Sequence, residues 1–264
     1  MQPDELYDTL AETAKDDLRE IYPEFESGGI TRVSHVHAYL ALYRQLGVCR
    51  MLANGLPDEL FVSQQQTASG YLFRLPGLDP DDLATSVAGV WWDAVGGQYW
   101  EAAQAIAERS RDTWNPKREH EEDFLYVRFL MKRYLLAAEP SEQGQMLDRW
   151  VEIIEDELSP RLDFCRALLE SRPDDVLDGL ERMGDARAQE VTRKIDAGTF
   201  GYELAAWLRP YWNEGLALIR LLEHEGIEVP PMFTQVPEIA RRPCPYRYHP
   251  DAWRSVGFRP SVRR

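Results

Sequence analysis

Histidine and cysteine, the side chains best suited to metal binding or nucleophilic catalysis, are scarce in this chain of 264 residues. His35 and His37 are two residues apart, so on a helix they point to different faces and cannot share an ion. Neither HExxH nor the Glu-x-x-His motif of di-iron bundles occurs. The sequence therefore predicts no metal site and no cofactor.

Signatures of nucleophilic or phosphate chemistry are missing as well. There is no GxSxG elbow, and Gly28-Gly29 and Gly96-Gly97 are isolated breaks without a following GK[ST]. Cys165 lies in the apolar run LDFCRALLE and is expected to be a small core residue. Cys49, Cys165 and Cys244 are far apart, which favours free thiols in a reducing compartment. We expect a protein that is not an enzyme, and a helical metalloenzyme is the least favoured alternative.

Carboxylates form the most informative pattern. The formal net charge is −15, and residues 141–185 hold thirteen acids against five arginines. Two groups of these acids fall at helical spacing along one face. Such a row predicts a binding surface for a cationic protein, whereas the plainer interpretation is a solvated acidic face. The predicted contact residues are Asp148, Glu152, Glu155 and Asp156 in the first group, and Asp174, Asp175, Asp178 and Glu181 in the second.

Adjacent aromatic residues form a second pattern, at Trp91-Trp92, Tyr99-Trp100 and Tyr211-Trp212. Core packing is one interpretation. In the other, one ring of each pair faces outward as a contact hot spot, which suits a scaffold or adaptor that binds peptides or proteins.

Nearly every segment between these residues has a 3.6-residue apolar period, and sustained alternation typical of strands is missing. We therefore predict an all-α fold, an irregular antiparallel bundle of about nine or ten helices joined by short Pro/Gly turns. Pro23 is expected to end the first helix. Residues 1–240 would form one domain, with possible sub-lobes 1–115 and 116–240.

The late segment 200–236 is expected to contain one long, nearly all-apolar core helix that ends at Gly226. Trp207 and Trp212 belong to its buried surface, and Glu214 is an acid within the apolar run. Since a buried acid needs a partner, we predict that Glu214 is structural and pairs with Arg241 or Arg242. Residues 241–264 hold seven arginines, four prolines and four interleaved aromatics, which predicts an extended basic strap packed on the helical body. A disordered basic tail is the alternative, and the interleaved aromatics count against it.

Several partners and locations are disfavoured. An acidic surface repels nucleic acid and anionic lipid. The first residues lack the apolar core of a signal peptide, and no apolar run approaches the roughly 20 residues that cross a bilayer. We expect a cytoplasmic protein.

The C-terminal half resembles a known family. The runs RLDFCRALLESRPDDVLDGLERM at 161–183 and YWNEGLALIRLLEHEGIEVPPMFTQVPE at 211–238 are similar to the immunity protein 49 family. The immunity family that pairs with PoNe-type DNase toxins has a similar late aromatic helix with an internal Glu. Either resemblance implies an all-α cytosolic protein that inhibits a cognate toxin, encoded by a neighbouring gene, through direct binding. Neither carries catalytic residues over to this chain.

Overall fold

The computed structural model describes residues 3–155, 158–230, 233, 235–254 and 262. Within that part of the chain the structure is all-α, with no strand and two isolated bridges, Phe233–Val236 and Tyr246–Val262. Proline opens α7, α8 and α9, where its fixed φ suits a first helical turn. The helices are α1 Pro3–Ser27, α2 Val33–Asn54, α3 Asp58–Arg74, α4 Gly89–Gly96, α5 Trp100–Arg109, α6 Glu121–Tyr134, α7 Pro140–Ile154, α8 Pro160–Leu169, α9 Pro173–Asp196, α10 Tyr202–Leu208 and α11 Asn213–His224.

The first helix corrects one expectation, because α1 continues through Pro23 for four further residues. Phe25 explains this continuation. Its side chain is completely buried and stacks on Tyr39 of α2, with the ring centroids 4.2 Å apart. Tertiary packing of the last turn thus outweighs the backbone hydrogen bond that Pro23 cannot donate.

The late core helix is also different from the prediction, since it consists of two helices, α10 and α11. Pro210 lies between them, and a proline removes a backbone donor and disfavours helical geometry at the preceding residue. The chain turns there, and the amide of Trp212 donates a 2.7 Å hydrogen bond to the carbonyl of Gln235. Glu214 consequently lies in the first turn of α11 and not in the middle of a long helix.

Packing connects the early and late parts of the chain. In the first part α2 lies against both α1 and α3, and in the second α8 lies against α9 and α6 against α7. The two parts meet where α4 packs on α11. A continuous core of buried residues runs through both, and its largest side chains include Trp91, Trp150 and Trp253.

The strap after Arg241 lies on the helical body over its described residues. Trp253 and Ala252 are fully buried in a 3-10 turn, and Cys244 is 4% exposed. Residues 255–261, 263 and 264 lie outside the described part. Among the described helices, none combines the length and the apolar character that crossing a membrane requires.

Candidate functional site

All the described members of the two predicted acidic groups are exposed. Asp148 and Glu152 lie on α7, and Glu155 follows its last residue. The second group, from Asp174 to Glu181, lies within the first nine residues of α9. Asp156 falls outside the described residues. Since α8 packs against both α7 and α9, it connects the two helices that carry these groups.

Arginines neutralise some of these acids. Arg182 lies 3.3 Å from Asp178 and 3.0 Å from Asp163 of α8. Arg172 pairs with Asp175, and Arg149 joins Glu152 to Glu121 of α6. Each of these arginines is about half exposed, so the pairs are solvated and each stabilises the fold little.

The remaining acids of the two groups form no ion pair with any residue that the structure describes; they are Asp148, Glu155, Asp174 and Glu181. We name the exposed carboxylates of α7, α8 and α9, together with Glu155, the acidic surface. It therefore keeps a surplus of negative charge that its own arginines do not balance.

Glu214 lies beside the acidic surface, in a cleft between α6, α8, α9 and α11 with a volume of about 350 Å³. Its carboxylate accepts a 2.8 Å hydrogen bond from the hydroxyl of Tyr126 and lies 3.3 Å from a terminal nitrogen of Arg161. The guanidinium of Arg161 lies 4.7 Å from the ring centroid of Tyr126 and also pairs with Asp123. Burial lowers the pKa of Arg161, but Glu214, Tyr126 and Asp123 together raise it above its usual value.

The predicted partner of Glu214 was wrong. Arg241 lies 3.0 Å from Glu223 and donates to the carbonyl of Val229, while the side chain of Arg242 is exposed. The break before α11 explains the difference. It puts Glu214 in the first turn of the helix, whereas the tail returns past the last turn, where Glu223 lies.

The cleft contains a second arginine, Arg187 of α9. Burial lowers its pKa, and its guanidinium donates to the carbonyls of Leu208 and Tyr211 at the break between α10 and α11. Trp212, 3% exposed, forms part of the wall, and Trp207 is 6% exposed. These contacts join α6, α8, α9 and α11, which is a structural task.

The adjacent aromatic pairs supply no outward-facing hot spots. Trp91, Trp92, Tyr99, Tyr211 and Trp212 are all buried, and Trp100 is partly buried against His224. The five buried rings are core residues, as the first interpretation predicted, whereas the adaptor function stays a prediction.

The candidate nucleophiles and ligands are dispersed. Cys165 is fully buried, and burial raises the pKa of its thiol well above the usual range. His35 is exposed, whereas His37 is mostly buried and its pKa falls to about 4, chiefly because burial penalises the charged imidazolium. Within the described ranges no three histidine, cysteine, aspartate or glutamate side chains are placed to hold a metal ion.

Two polar features escaped the sequence reasoning. Arg44 and Asp93 form a buried ion pair between α2 and α4. The run Ser63 to Ser69 of α3 is buried although six of its seven residues have polar side chains, among them three consecutive glutamines. Only the second feature was visible in the sequence, as a run of three glutamines. In an amphipathic helix such a run normally indicates a solvated face, so it did not predict burial.

Comparison of the chain with protein-family models, with curated proteins and with solved structures finds no match.

Proposed function

We propose that this protein is an immunity protein, which binds a basic toxin domain through its acidic surface and so neutralises it. The observation that carries the proposal is the surplus of exposed carboxylates on α7 and α9 that no described arginine or lysine balances. A toxin that acts on nucleic acid has a cationic substrate site, and a row of carboxylates can take the place of the phosphates there.

Helix geometry sets the spacing of this row. On α9 the carboxylates of Asp174, Asp178 and Glu181 follow steps of four and three residues, which keeps them on one side of the helix. These steps correspond to about 6 Å and about 4.5 Å along the axis. The opposite side of α9 carries the buried residues Val176 and Leu180, so the row is fixed relative to the core.

The same charges would speed association. The excess of fifteen negative charges attracts a cationic domain over a distance of about one Debye length, roughly 8 Å at physiological salt. Contact would then exclude nucleic acid from the toxin's site both by repulsion and by the bulk of the helices. Affinity that depends on steering of this kind falls as salt rises.

The direct test is co-expression with the product of the adjacent open reading frame. We expect that product to arrest growth when it is expressed alone and growth to recover when this protein is present. A neighbour that is harmless alone, or a failure both to rescue growth and to bind the purified neighbour, would refute the proposal.

Two charge-reversal variants, one on α9 and one on α1, test whether α9 carries the binding surface. The triple variant Asp174→Lys, Asp178→Lys, Glu181→Lys should weaken binding to the neighbouring product by at least tenfold, about 1.4 kcal/mol. The control reverses Asp17, Glu20 and Glu24 of α1, which are also exposed and at helical spacing, so the net charge of both variants changes equally. Equal affinities of the two variants would move the interface away from α9.

A further inference from the structure

The buried polar side of α3 is covered by the strap, and the contacts join side chains of the body to backbone of the strap. Gln65 is the central residue. Its amide nitrogen donates to the carbonyl of Arg247 over 2.9 Å, and its amide oxygen accepts from the backbone N–H of His249 over 3.1 Å. Gln65 thus hydrogen-bonds both a backbone carbonyl and a backbone N–H of the extended strap.

Two more side chains of the body bind strap backbone in the same way. The amide oxygen of Gln98 accepts from the N–H of Cys244 over 2.8 Å, and the hydroxyl of Ser69 accepts from the N–H of Trp253 over 3.1 Å. Tyr43 of α2 completes the set by donating to the carbonyl of Trp253 over 2.7 Å. The burial of these polar side chains is tolerated because each has a backbone partner.

One side chain of the strap supplies the apolar anchor. The indole of Trp253 is fully buried, stacks on Phe73 with centroids 4.1 Å apart, and meets Phe25 edge-on. Gly70 of α3 leaves room at this contact, because a Cβ built there would lie 2.8 Å from Cδ2 of Leu40 and 3.3 Å from the Cβ of Trp253. Arg254 adds an ion pair with Glu26 of α1 at the rim.

These features are those of a peptide-binding groove: side chains that read a backbone, a pocket for one aromatic anchor and a charged rim. From Arg242 to Asp251 the strap forms no helix of its own, so its path is set by the body on which it lies. It behaves as a ligand that is tethered to its receptor.

We propose that this groove binds residues 243–254 of a second copy of the chain, so that two copies can exchange straps. The chain's own strap is the segment whose backbone contacts and tryptophan fit the groove. The hinge lies at Pro243, because Arg242 is held by its carbonyl, which accepts a 2.7 Å hydrogen bond from Arg220. In the unaltered protein the tethered strap competes at an effective concentration of roughly millimolar, which favours the closed monomer.

Two full-length variants test the exchange. Trp253→Ala removes the apolar anchor of the strap and keeps the groove residues. Gln65→Ala combined with Ser69→Ala removes hydrogen bonds of the groove and keeps the strap intact. Only a mixture contains an intact groove and an intact strap. Native mass spectrometry should show a heterodimer in the mixture at no less than ten times the dimer fraction of either variant alone. Two folded variants that give no heterodimer would overturn the proposal.

A second measurement covers the case in which Trp253→Ala does not fold. Full-length Trp253→Leu keeps an apolar side chain in the pocket, and a labelled peptide of residues 243–254 serves as the probe. Fluorescence anisotropy should show at least tenfold tighter binding to this variant than to wild type. The control Trp114→Ala changes a tryptophan away from the groove and should bind the peptide as wild type does. Equal binding to wild type and Trp253→Leu, or binding to neither, would overturn the proposal.

Discussion

Arg44 on α2 and Asp93 on α4 form a bidentate pair inside the protein. The Nε and one terminal nitrogen of Arg44 lie 2.8 and 2.5 Å from the two carboxylate oxygens of Asp93, whose side chain has no solvent exposure. The pair is next to the α4–α11 interface, where the side-chain amide of Asn213 donates to the carbonyl of Gly89 at the start of α4. It therefore joins α2 to α4, the helix on which α11 of the late part packs.

Removing one partner should be costly, since it leaves the other charge buried and unpaired. We expect Asp93→Ala to lower the free energy of unfolding by about 3–5 kcal/mol, measured by urea titration. The double variant Arg44→Met, Asp93→Leu should recover most of that loss. A single variant with wild-type stability would show that water solvates Arg44 in the folded protein.

The pair also shows where sequence reasoning stops. The all-α class followed from apolar periodicity and was confirmed, because periodicity records which side of each helix meets the core. Asp93 lies in GVWWDAVG and looks like an ordinary acid beside two tryptophans. Its partner is 49 residues away, and no local pattern connects the two.

Glu214 shows the same limit at the candidate site. Its need for a basic partner was predictable from an acid in an apolar run. The identity of that partner depended on the break at Pro210, which decides the turn of α11 in which Glu214 lies. The acidic rows were predictable as exposed faces because helical spacing is local, whereas the three arginines that pair with some of their members were not predicted.

Gly47 lies at a close approach of α2 to α3. A Cβ at this position would lie 1.9 Å from the hydroxyl oxygen of Ser63 and 2.8 Å from the carbonyl oxygen of Glu59. Because the backbone carbonyl cannot move aside, Gly47→Ala should destabilise by about 3 kcal/mol or more in thermal or urea unfolding. Gly144→Ala on α7 is the matched control, since nothing lies within 4 Å of its Cβ position; it should stabilise by about 0.5–1 kcal/mol. Equal effects would contradict the close approach.

The mostly buried imidazole of His37 should make the folding stability of the protein depend on pH. Its folded pKa of about 4 lies below the ordinary 6.5 because the ring is buried, with Arg44 as a second cause. The unfolded chain therefore binds more protons between these values, and stability falls as pH drops from 6.5 towards 4. The shift corresponds to at most about 3 kcal/mol.

The variant His37→Gln isolates this contribution. It should flatten the loss of stability between pH 6.5 and 4 relative to wild type, as measured by chemical denaturation across that range. The exposed His35→Gln is the control and should keep the wild-type slope. If the slope is unchanged in His37→Gln, the imidazole of His37 has its ordinary pKa in the folded protein.

The three thiols are predicted to be inert in the folded protein. Cys49, Cys165 and Cys244 are all buried, and no disulfide joins any two of them. Burial raises the pKa of Cys49 to about 12 and that of Cys165 well above its usual value, so few thiolates form at neutral pH. An aromatic disulfide reagent should report no fast-reacting thiol in the native state and all three after denaturation. A rapid native reaction would reveal local opening around the modified cysteine.

The Glu214 cleft can be tested by a double-mutant cycle with Tyr126. The buried hydroxyl of Tyr126 donates to the Glu214 carboxylate, which also pairs with Arg161, so Glu214→Gln disturbs both partners whereas Tyr126→Phe removes one donor. We expect Glu214→Gln to cost about 1–3 kcal/mol of unfolding free energy and the coupling energy of the cycle to be about 1 kcal/mol.

Arg241→Met serves as the control, because that arginine pairs with Glu223 at the other end of α11 and its effect should add to that of Glu214→Gln. Strong coupling of Glu214 to Arg241, with none to Tyr126, would restore the tail arginine as the partner of Glu214. Glu214 lies on α11 and is not one of the carboxylates of the acidic surface. We therefore expect Glu214→Gln to change stability without changing the affinity for the neighbouring gene product.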